Sequence, residues 1–474
     1  MAGSRGAERI LNDDKNQFEK EQSDLIKFIL NERYFKPWSL HQKSPGGYFD
    51  REHSLWSEAK LELYLTSTCN QKCEYCYLQQ FPKLYPKEVN KKETIMRNLV
   101  IILNWLIEND YYLPELEFFT GEIWHLDWGL EVFEETYKAL QRGLRIDSIM
   151  IPSNCSFVLD EVQLCKLQRY IDKFQREFNV RVIFSISVDG MIIEEETRPL
   201  NNKIVKTEDY YERLFLFAQH NNYFFHPMVG AYKIDKWIEN HEWWTKMCEE
   251  YDMEVEQAVM MLEVRNDNWS DEDIQHYCNF LKHLVMHKLK LCKNDIGLFS
   301  QKLLSFYGEG GGYLPYSPSP ADTFAGCTVA SSLTIRVGDL AICPCHRTAY
   351  NQFLYGYFIE EQGKIVDIVG NNPQMAIRIL MANNNLCSFK CDTCLYNIYC
   401  MKGCFGSQFE NVGDPFMPIE GICKLYQTKW KFLVNLYNDL GVLDYLRNNT
   451  KTGNEAWERV QKFLNFCQEV LNNE

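Results

Sequence analysis

The clearest alternation of apolar and polar positions lies at KLELYLTS, where Leu61, Leu63 and Leu65 recur at every second residue, the period of a half-buried strand. Similar short runs follow at ELEFFT (115–120), SIMIPS (148–153), RVIFSISV (181–188), FHPMVGAY (225–232) and AVMMLEV (258–264). Between them, TIMRNLVIILNWLIEND (94–110) and LEVFEETYKALQRGL (130–144) carry helical spacing, and residues 17–34 are helix-like. Strand and helix alternate every roughly 30–45 residues, the length of one β/α unit. The fold class this predicts is α/β, a partial (β/α)6 TIM-like barrel; an ordinary doubly wound sheet fits the same rhythm.

A Gly/Pro/Ser-rich run, GEGGGYLPYSPSPADTFAG, occupies 308–326 and reads as a linker. It divides the chain into an N-terminal helical extension (1–58), the barrel (59–307), the linker, a cysteine-rich region (327–425) and a C-terminal helical tail (426–474). The tail contains KWKFLVNLYNDLGVLDYL and AWERVQKFLNFCQEVL. No internal repeat is visible.

With 46% apolar residues the 474-residue chain can bury a large core. Fifty basic against 65 acidic side chains leave a net charge of -15, which argues against a nucleic-acid partner and suits a basic or neutral ligand. No apolar run reaches membrane-spanning length, and MAGSRGAERILNDDK lacks the apolar centre of a secretion signal. The expected location is cytoplasmic, away from membranes.

In that setting the 18 cysteines are not a disulfide framework. Six of them, Cys155, Cys165, Cys248, Cys278, Cys292 and Cys467, lie singly in apolar or helical stretches and read as small buried hydrophobes. Nine crowd between Cys327 and Cys423, and three sit within LTSTCNQKCEYCYL as Cys69, Cys73 and Cys76. A four-iron cluster takes four thiolates, so three would leave one iron open to bind and activate a small molecule. A structural zinc is the alternative, but it would want a fourth Cys or His nearby.

The spacing Cys-x3-Cys-x2-Cys, with Tyr75 before the last cysteine, resembles the signature of the radical S-adenosylmethionine superfamily. The resemblance implies that Cys69, Cys73 and Cys76 hold a 4Fe-4S cluster whose fourth iron is chelated by S-adenosylmethionine, with Tyr75 near the adenine. Later strand ends resemble the family's other cofactor contacts. Thr120-Gly121-Glu122-Ile123 stands where Gly-Gly-Glu-Pro is usual, two of four positions differing, and Ser153-Asn154-Cys155 resembles Thr-Asn-Gly. SISVDG, with Ser185, Ser187, Asp189 and Gly190 followed by Arg198, resembles the pattern that holds ribose and carboxylate. Gly230 and the region around Leu262 complete the implied pocket.

Downstream, Cys327-x10-Gly338-x4-Cys343, then Cys391-x2-Cys394-x5-Cys400-x3-Cys404 and finally Cys423 resemble the SPASM (twitch-type) extension, which carries two auxiliary clusters. The resemblance covers about residues 61–425. It implies three 4Fe-4S clusters in all. Cys391, Cys394, Cys400 and Cys423 would ligate the second auxiliary cluster; Cys327, Cys343 and Cys404 would ligate the first. The fourth ligand there stays open between Cys345, whose Pro-Cys-His context resembles the family's Tyr-Pro-Cys and which can instead replace Cys343, and Cys387, or no ligand at all. A pair of zinc knuckles is the alternative.

The implied activity is generation of a 5'-deoxyadenosyl radical and modification of a peptide: a thioether, carbon-carbon or ether crosslink on a ribosomal precursor. Oxidation of Cys or Ser in a protein, as in sulfatase maturation, is the alternative, and a non-catalytic peptide-binding protein is a third. Implied partners are the precursor peptide, a flavodoxin- or ferredoxin-type electron donor and, since only about sixty residues precede the first strand, a separate small leader-binding protein. No catalytic base is assigned. Glu263 and Asp235 carry no further signal, and His125, His226 and His346 are isolated in sequence. The aromatic stretches WLIENDYYLPELEFF and NHEWWTKM suit either a peptide channel or core packing.

Overall fold

The alternating KLELY run forms strand β1 (Lys60–Tyr64) in the computed structural model, which describes residues 3–40, 60–85, 91–119, 121–200, 207–255, 258, 261–262, 269–304, 315–318, 332–381, 391, 393–400, 404–449 and 455–473. Ahead of it lies helix α1 (Gly3–Leu30). After it come α2 (Lys92–Glu108), β2 (Tyr112–Phe119), α3 (Gly129–Gln141), β3 (Arg145–Ser153), α4 (Glu161–Phe178) and β4 (Arg181–Ile186). These continue into α5 (Glu208–Asn221), β5 (Phe224–Phe225), β6 (Met228–Val229), α6 (Trp237–Glu250), β7 (Met261–Leu262) and α7 (Asp271–Leu291). Four strands follow, β8 (Ser332–Arg336), β9 (Ala341–Cys343), β10 (Gly356–Glu361) and β11 (Lys364–Gly370), then α8 (Glu420–Asp439) and α9 (Glu455–Asn472). The protein is a mixed α/β structure.

Two compact units share the chain. The first comprises Met1–Asn70, Phe81–Phe184 and Cys327–Asn383; the second comprises Gln71–Gln80, Ser185–Gly326 and Asn384–Glu474. The stretches 59–307 and 327–425 are thus each divided between units.

In the first unit the strand order is β11-β10-β9-β8-β1-β2-β3-β4. β8, β1, β2 and β3 run parallel, whereas β8 to β11 form an antiparallel meander. β1 therefore sits between two parallel partners, with Leu61 and Leu63 wholly buried on one face and the equally buried Glu62 on the other. Helix α1 covers β11: Ser23 Oγ donates to Ile368 O (3.4 Å) and accepts from Gly370 N (2.9 Å), and Lys27 pairs with Asp367. A side chain at Gly370 would strike Ile26, so the close approach that shields this sheet edge requires glycine.

In the second unit the last two residues of β4 pair in parallel with β5, and β6 pairs with β7. The single strand expected over 225–232 is broken at Pro227, which has no N–H for a ladder. His226 N donates to Ile186 O (2.7 Å), and the pairing then transfers to β7. Helix α7 begins with a reciprocal cap between Ser270 and Asp273, and it packs against α8. Among the described residues no helix is long and apolar enough to cross a membrane.

Candidate functional site

In the first unit the C-terminal ends of β1, β2 and β3 are tied by one buried network. Gly121 (φ +58°) lies so close to the Thr66 and Thr68 carbonyls that a Cβ would stand 2.7 and 2.3 Å from them, and Glu122 N donates to Thr68 O (2.8 Å). The Glu122 carboxylate accepts from Ser153 Oγ (3.0 Å) and Asn154 N (2.7 Å). Asn154 Nδ2 then donates to Asn70 Oδ1 (2.8 Å), and Asn70 Nδ2 to Ser156 Oγ (2.8 Å). Gly121, Glu122 and Asn154 thereby fix the residue that follows Cys69. Thr120 lies outside the described residues.

In the second unit the centre is Asp189, wholly buried. Its carboxylate accepts from Tyr75 Oη (2.9 and 3.0 Å), Thr197 Oγ1 (2.7 Å) and Met228 N (2.9 Å). Its carbonyl accepts from Asn240 Nδ2 (2.7 Å) and Trp244 Nε1 (3.0 Å). Arg198 donates to Tyr75 Oη (2.6 Å) and to Gln71 Oε1 (3.3 Å). Burial pushes the Tyr75 hydroxyl well above its ordinary range, Arg198 opposing and Asp189 adding. Gly190 (φ +118°) leaves no room for a Cβ, which would fall 2.5 Å from Asn240 Oδ1.

The cysteine loop runs along this centre. Lys72 N donates to Pro199 O (3.0 Å), Glu74 N to Thr197 O (2.9 Å), and Gln71 bridges Leu200. Three residues singled out for the cofactor, Tyr75, Asp189 and Arg198, thus form one hydrogen-bonded group. Ser185 and Ser187 share one half-buried face at the end of β4, and Gly230 follows β6.

The three thiols are half-buried. Cys69 Sγ lies 4.0 Å from Asn70 Oδ1 and Cys73 Sγ 3.6 Å from Gln71 Oε1. Cys76 N donates to Cys73 O (3.1 Å). Among the described residues no three His, Cys, Asp or Glu side chains converge as a metal cage.

The chain is similar in structure to native anSMEcpe with bound AdoMet. The two share 15% identity at a TM-score of 0.49, over 80% of this chain and 99% of that one. It is also similar to Streptococcus suis SuiB bound to precursor peptide SuiA (13% identity, TM-score 0.46, 86% and 88% covered) and to SuiB bound to S-adenosylmethionine (11%, 0.42, 77% and 77%). No family model matches the chain, and no curated protein does.

The downstream thiols divide by unit. In the first unit, Cys343 is wholly buried within β9, where burial pushes its thiol up to about 12 against the pull of Arg336. Cys345 lies just past that strand, its Sγ 3.4 Å from Thr348 Oγ1. In the second unit Cys391, Cys394, Cys400, Cys404 and Cys423 are all half-buried. Cys391 and Cys394 close a turn (Cys394 N to Cys391 O, 3.1 Å), Cys404 immediately precedes the helix Phe405–Val412, and Cys423 lies in the first turn of α8. Trp430 Nε1 donates to Tyr399 O (3.1 Å), fastening α8 to the residue before Cys400. Cys327, Cys387 and Glu263 lie outside the described residues, and Asp235 is exposed on a single turn (Ile234–Lys236).

Two groups escaped the sequence. Glu62 on β1 accepts from Thr334 Oγ1 (2.5 Å), His346 N (2.8 Å) and His346 Nδ1 (3.1 Å), and the His346 ring stacks on Phe119. Lys60 Nζ stands 3.4 Å from Glu62 Oε1 and 2.5 Å from Glu117 Oε2. Burial would raise Glu62, but His346, Lys60 and Thr334 together hold its carboxyl well below the usual range. Burial pushes Glu117, whose ion-pair partner among the described residues is Lys60, up to about 8. The signal was the charged face of KLELY and ELEFF, in which every second residue of a buried strand is polar. The second group is His241 on α6 with His283 and His287 on α7. His241 Nδ1 is 3.1 Å from His283 Nε2, and burial beside the other two imidazoles lowers His241 to about 3. The i,i+4 spacing of His283 and His287 was its only trace.

Proposed function

We propose that the chain is a radical S-adenosylmethionine enzyme of the SPASM type that modifies a peptide, forming a side-chain crosslink on a ribosomal precursor. The observation that carries this reading is the Cys-x3-Cys-x2-Cys loop laid along Thr197–Leu200, with Tyr75, Asp189 and Arg198 locked together behind it. Three thiols in one loop with no fourth suit a cluster with an open iron, and a binding module has no use for one.

When bound, the cluster and S-adenosylmethionine supply a 5'-deoxyadenosyl radical able to take hydrogen from an unactivated carbon. The protein positions and excludes water. Cys69, Cys73 and Cys76 are the ligands. Arg198 holds Tyr75 against Asp189, so the ring is fixed before any cofactor arrives; Ser185, Ser187 and Gly230 lie at neighbouring strand ends. Around Cys69, the Thr68 carbonyl and the Glu122–Asn154 network set the loop, with Gly121 the only residue type that fits. The parallel strands β1, β2 and β3, with β4 beside them, belong to a partial barrel.

Cys391, Cys394, Cys400 and Cys423 hold a second auxiliary cluster. Cys327 and Cys404 hold part of the first, and Cys345, outside the strand, suits a ligand better than Cys343, whose side chain is enclosed in β9. The reductant is of flavodoxin or ferredoxin type, a separate small protein presents the leader, and the setting is cytoplasmic.

Iron and sulfide content of anaerobically reconstituted protein tests this. About twelve irons per chain are expected, falling to about eight in the Cys69→Ala/Cys73→Ala/Cys76→Ala form. The reduced wild type should cleave S-adenosylmethionine to 5'-deoxyadenosine and the triple variant should not. Near-zero iron with stoichiometric zinc would sink the reading.

A further inference from the structure

In a chain whose net charge is -15, one helix of the first unit carries a row of cations. On α4, Lys166, Arg169, Lys173 and Arg176 follow the i, i+3, i+7, i+10 spacing that sets side chains in line along a helix, and all four line a groove of about 490 Å³ between α3 and α4. At about 1.5 Å per residue the row is roughly 15 Å long. Three acids share the lining, and each is engaged. Glu131 pairs with Lys92 (2.7 Å) and Glu134 with Lys138 (3.0 Å), two lysines outside the groove, while Asp172 accepts from Gln168 Nε2 (2.9 Å). Arg176 meets Glu177 (2.9 Å). The groove therefore presents a positive wall.

Its floor is already in place. The Lys173 ammonium lies over the rings of Tyr137 (5.2 Å) and Tyr170 (5.7 Å), and Phe133 on α3 packs edge-on against Tyr170 and Phe174 on α4. One end of the groove lies beside the Glu122–Asn154 network. Only the turn Ser156–Leu159 separates β3 from α4, and Gln163 Nε2 donates to Trp124 O (2.7 Å), fastening the first turn of α4 to the segment that follows Glu122. At that end Leu130, in the first turn of α3, joins the lining, and Val162, one turn before Lys166, is 64% exposed. Cations and an apolar end together describe the complement of an acidic amphipathic helix.

We propose that this groove holds an acidic helical stretch of the peptide substrate, outside the residues that react, with carboxylates at i, i+3, i+7 and i+10 against the four cations and an apolar side chain against Leu130 and Val162. The inference rests on the peptide-modifying reading above. A helix laid in a groove is recognised by anchors at this spacing, and a positive wall steers an anionic chain to it. From the Val162 end the rest of the peptide continues toward Asn154 and Asn70. Binding energy gained away from the chemistry is what positions the reacting residues.

The test titrates full-length reconstituted protein with a fluorescein-labelled, alanine-rich helical peptide bearing Glu at those four positions and Leu one turn beyond, read by fluorescence anisotropy. Binding should weaken as salt rises, fall about tenfold in Lys166→Glu/Arg169→Glu/Lys173→Glu, and return in that variant with a peptide whose four Glu are Lys. If the triple variant misfolds, Lys166→Gln/Arg169→Gln, at two exposed positions, makes the comparison and should lose affinity several-fold. A benzophenone placed in the peptide one turn past the Leu should label residues 153–159. Equal affinity for a peptide of the same residues in scrambled order overturns the inference, as does undiminished affinity in the variants. Labelling confined to residues beyond Arg176 overturns the lead toward the site. Protein that binds the peptide as expected yet takes up no iron and leaves S-adenosylmethionine uncleaved is a separate result: it removes the enzyme reading and, with it, the occupant's role as substrate.

Discussion

Lys60 in the first unit is part-exposed and Lys429 in the second is buried, and the two are accommodated by opposite means. Lys60 in the first unit stands between Glu62 and Glu117 on adjacent parallel strands, and Glu62 in turn takes hydrogen bonds from Thr334 and His346. That group of charges is complete within the protein. Lys429 in the second unit lies over two rings and, among the described residues, pairs with no carboxylate. A self-paired cation tells of sheet architecture.

The comparison breaks most easily at Lys60. Lys60→Met strands the buried Glu117 carboxylate and takes away one of the partners of Glu62, and should cost about 3–5 kcal/mol, the usual penalty for removing one partner of a buried ion pair, read from urea unfolding of iron-free protein. A loss under about 1 kcal/mol, the range of exposed pairs, would mean that water reaches the pair. Next in size is a pH effect. Glu117 is raised from its unfolded value to about 8, so its folded form binds the extra proton. The stability it contributes is fully present below its unfolded pKa and is lost as pH rises through about 8. Glu117→Gln should therefore flatten the decline in stability between pH 5 and 8; an unchanged slope would remove Glu117 from the account. The smallest effect carries the opposite sign. In iron-free protein Lys429→Met should be neutral or stabilising by up to about 1–2 kcal/mol, since it deletes a buried charge without stranding a partner. Destabilisation comparable to that of Lys60→Met would erase the contrast.

What could be read from the chain followed distance in sequence. The helices near 94–110 and 130–144, and the strands near 115, 148 and 181, carry their own periodicity and appear as α2, α3, β2, β3 and β4. The break at Pro227 was local too, and the apolar run hid it. Tyr75, Asp189 and Arg198 were found because a motif fixes their order, although Tyr75 and Asp189 are 114 positions apart. Nothing local marks β8 as the neighbour of β1, because a parallel pairing of Glu62 with Thr334 leaves no turn between them. Glu62 and His346, 284 positions apart, stayed invisible for the same reason.

The place of β8 beside β1 has a consequence during synthesis. One whole edge of β1 has no partner until Ser332–Arg336 leaves the ribosome, after the long Ser185–Gly326 part of the other unit has been made. At about 5–20 residues per second that wait lasts roughly 15–55 s. During it, an apolar strand edge built around Leu61 and Leu63 is open to any neighbouring nascent chain. Chains halted before residue 332 should seek out chaperones or one another, and full-length yield should rise when translation is slowed or expression is cooled.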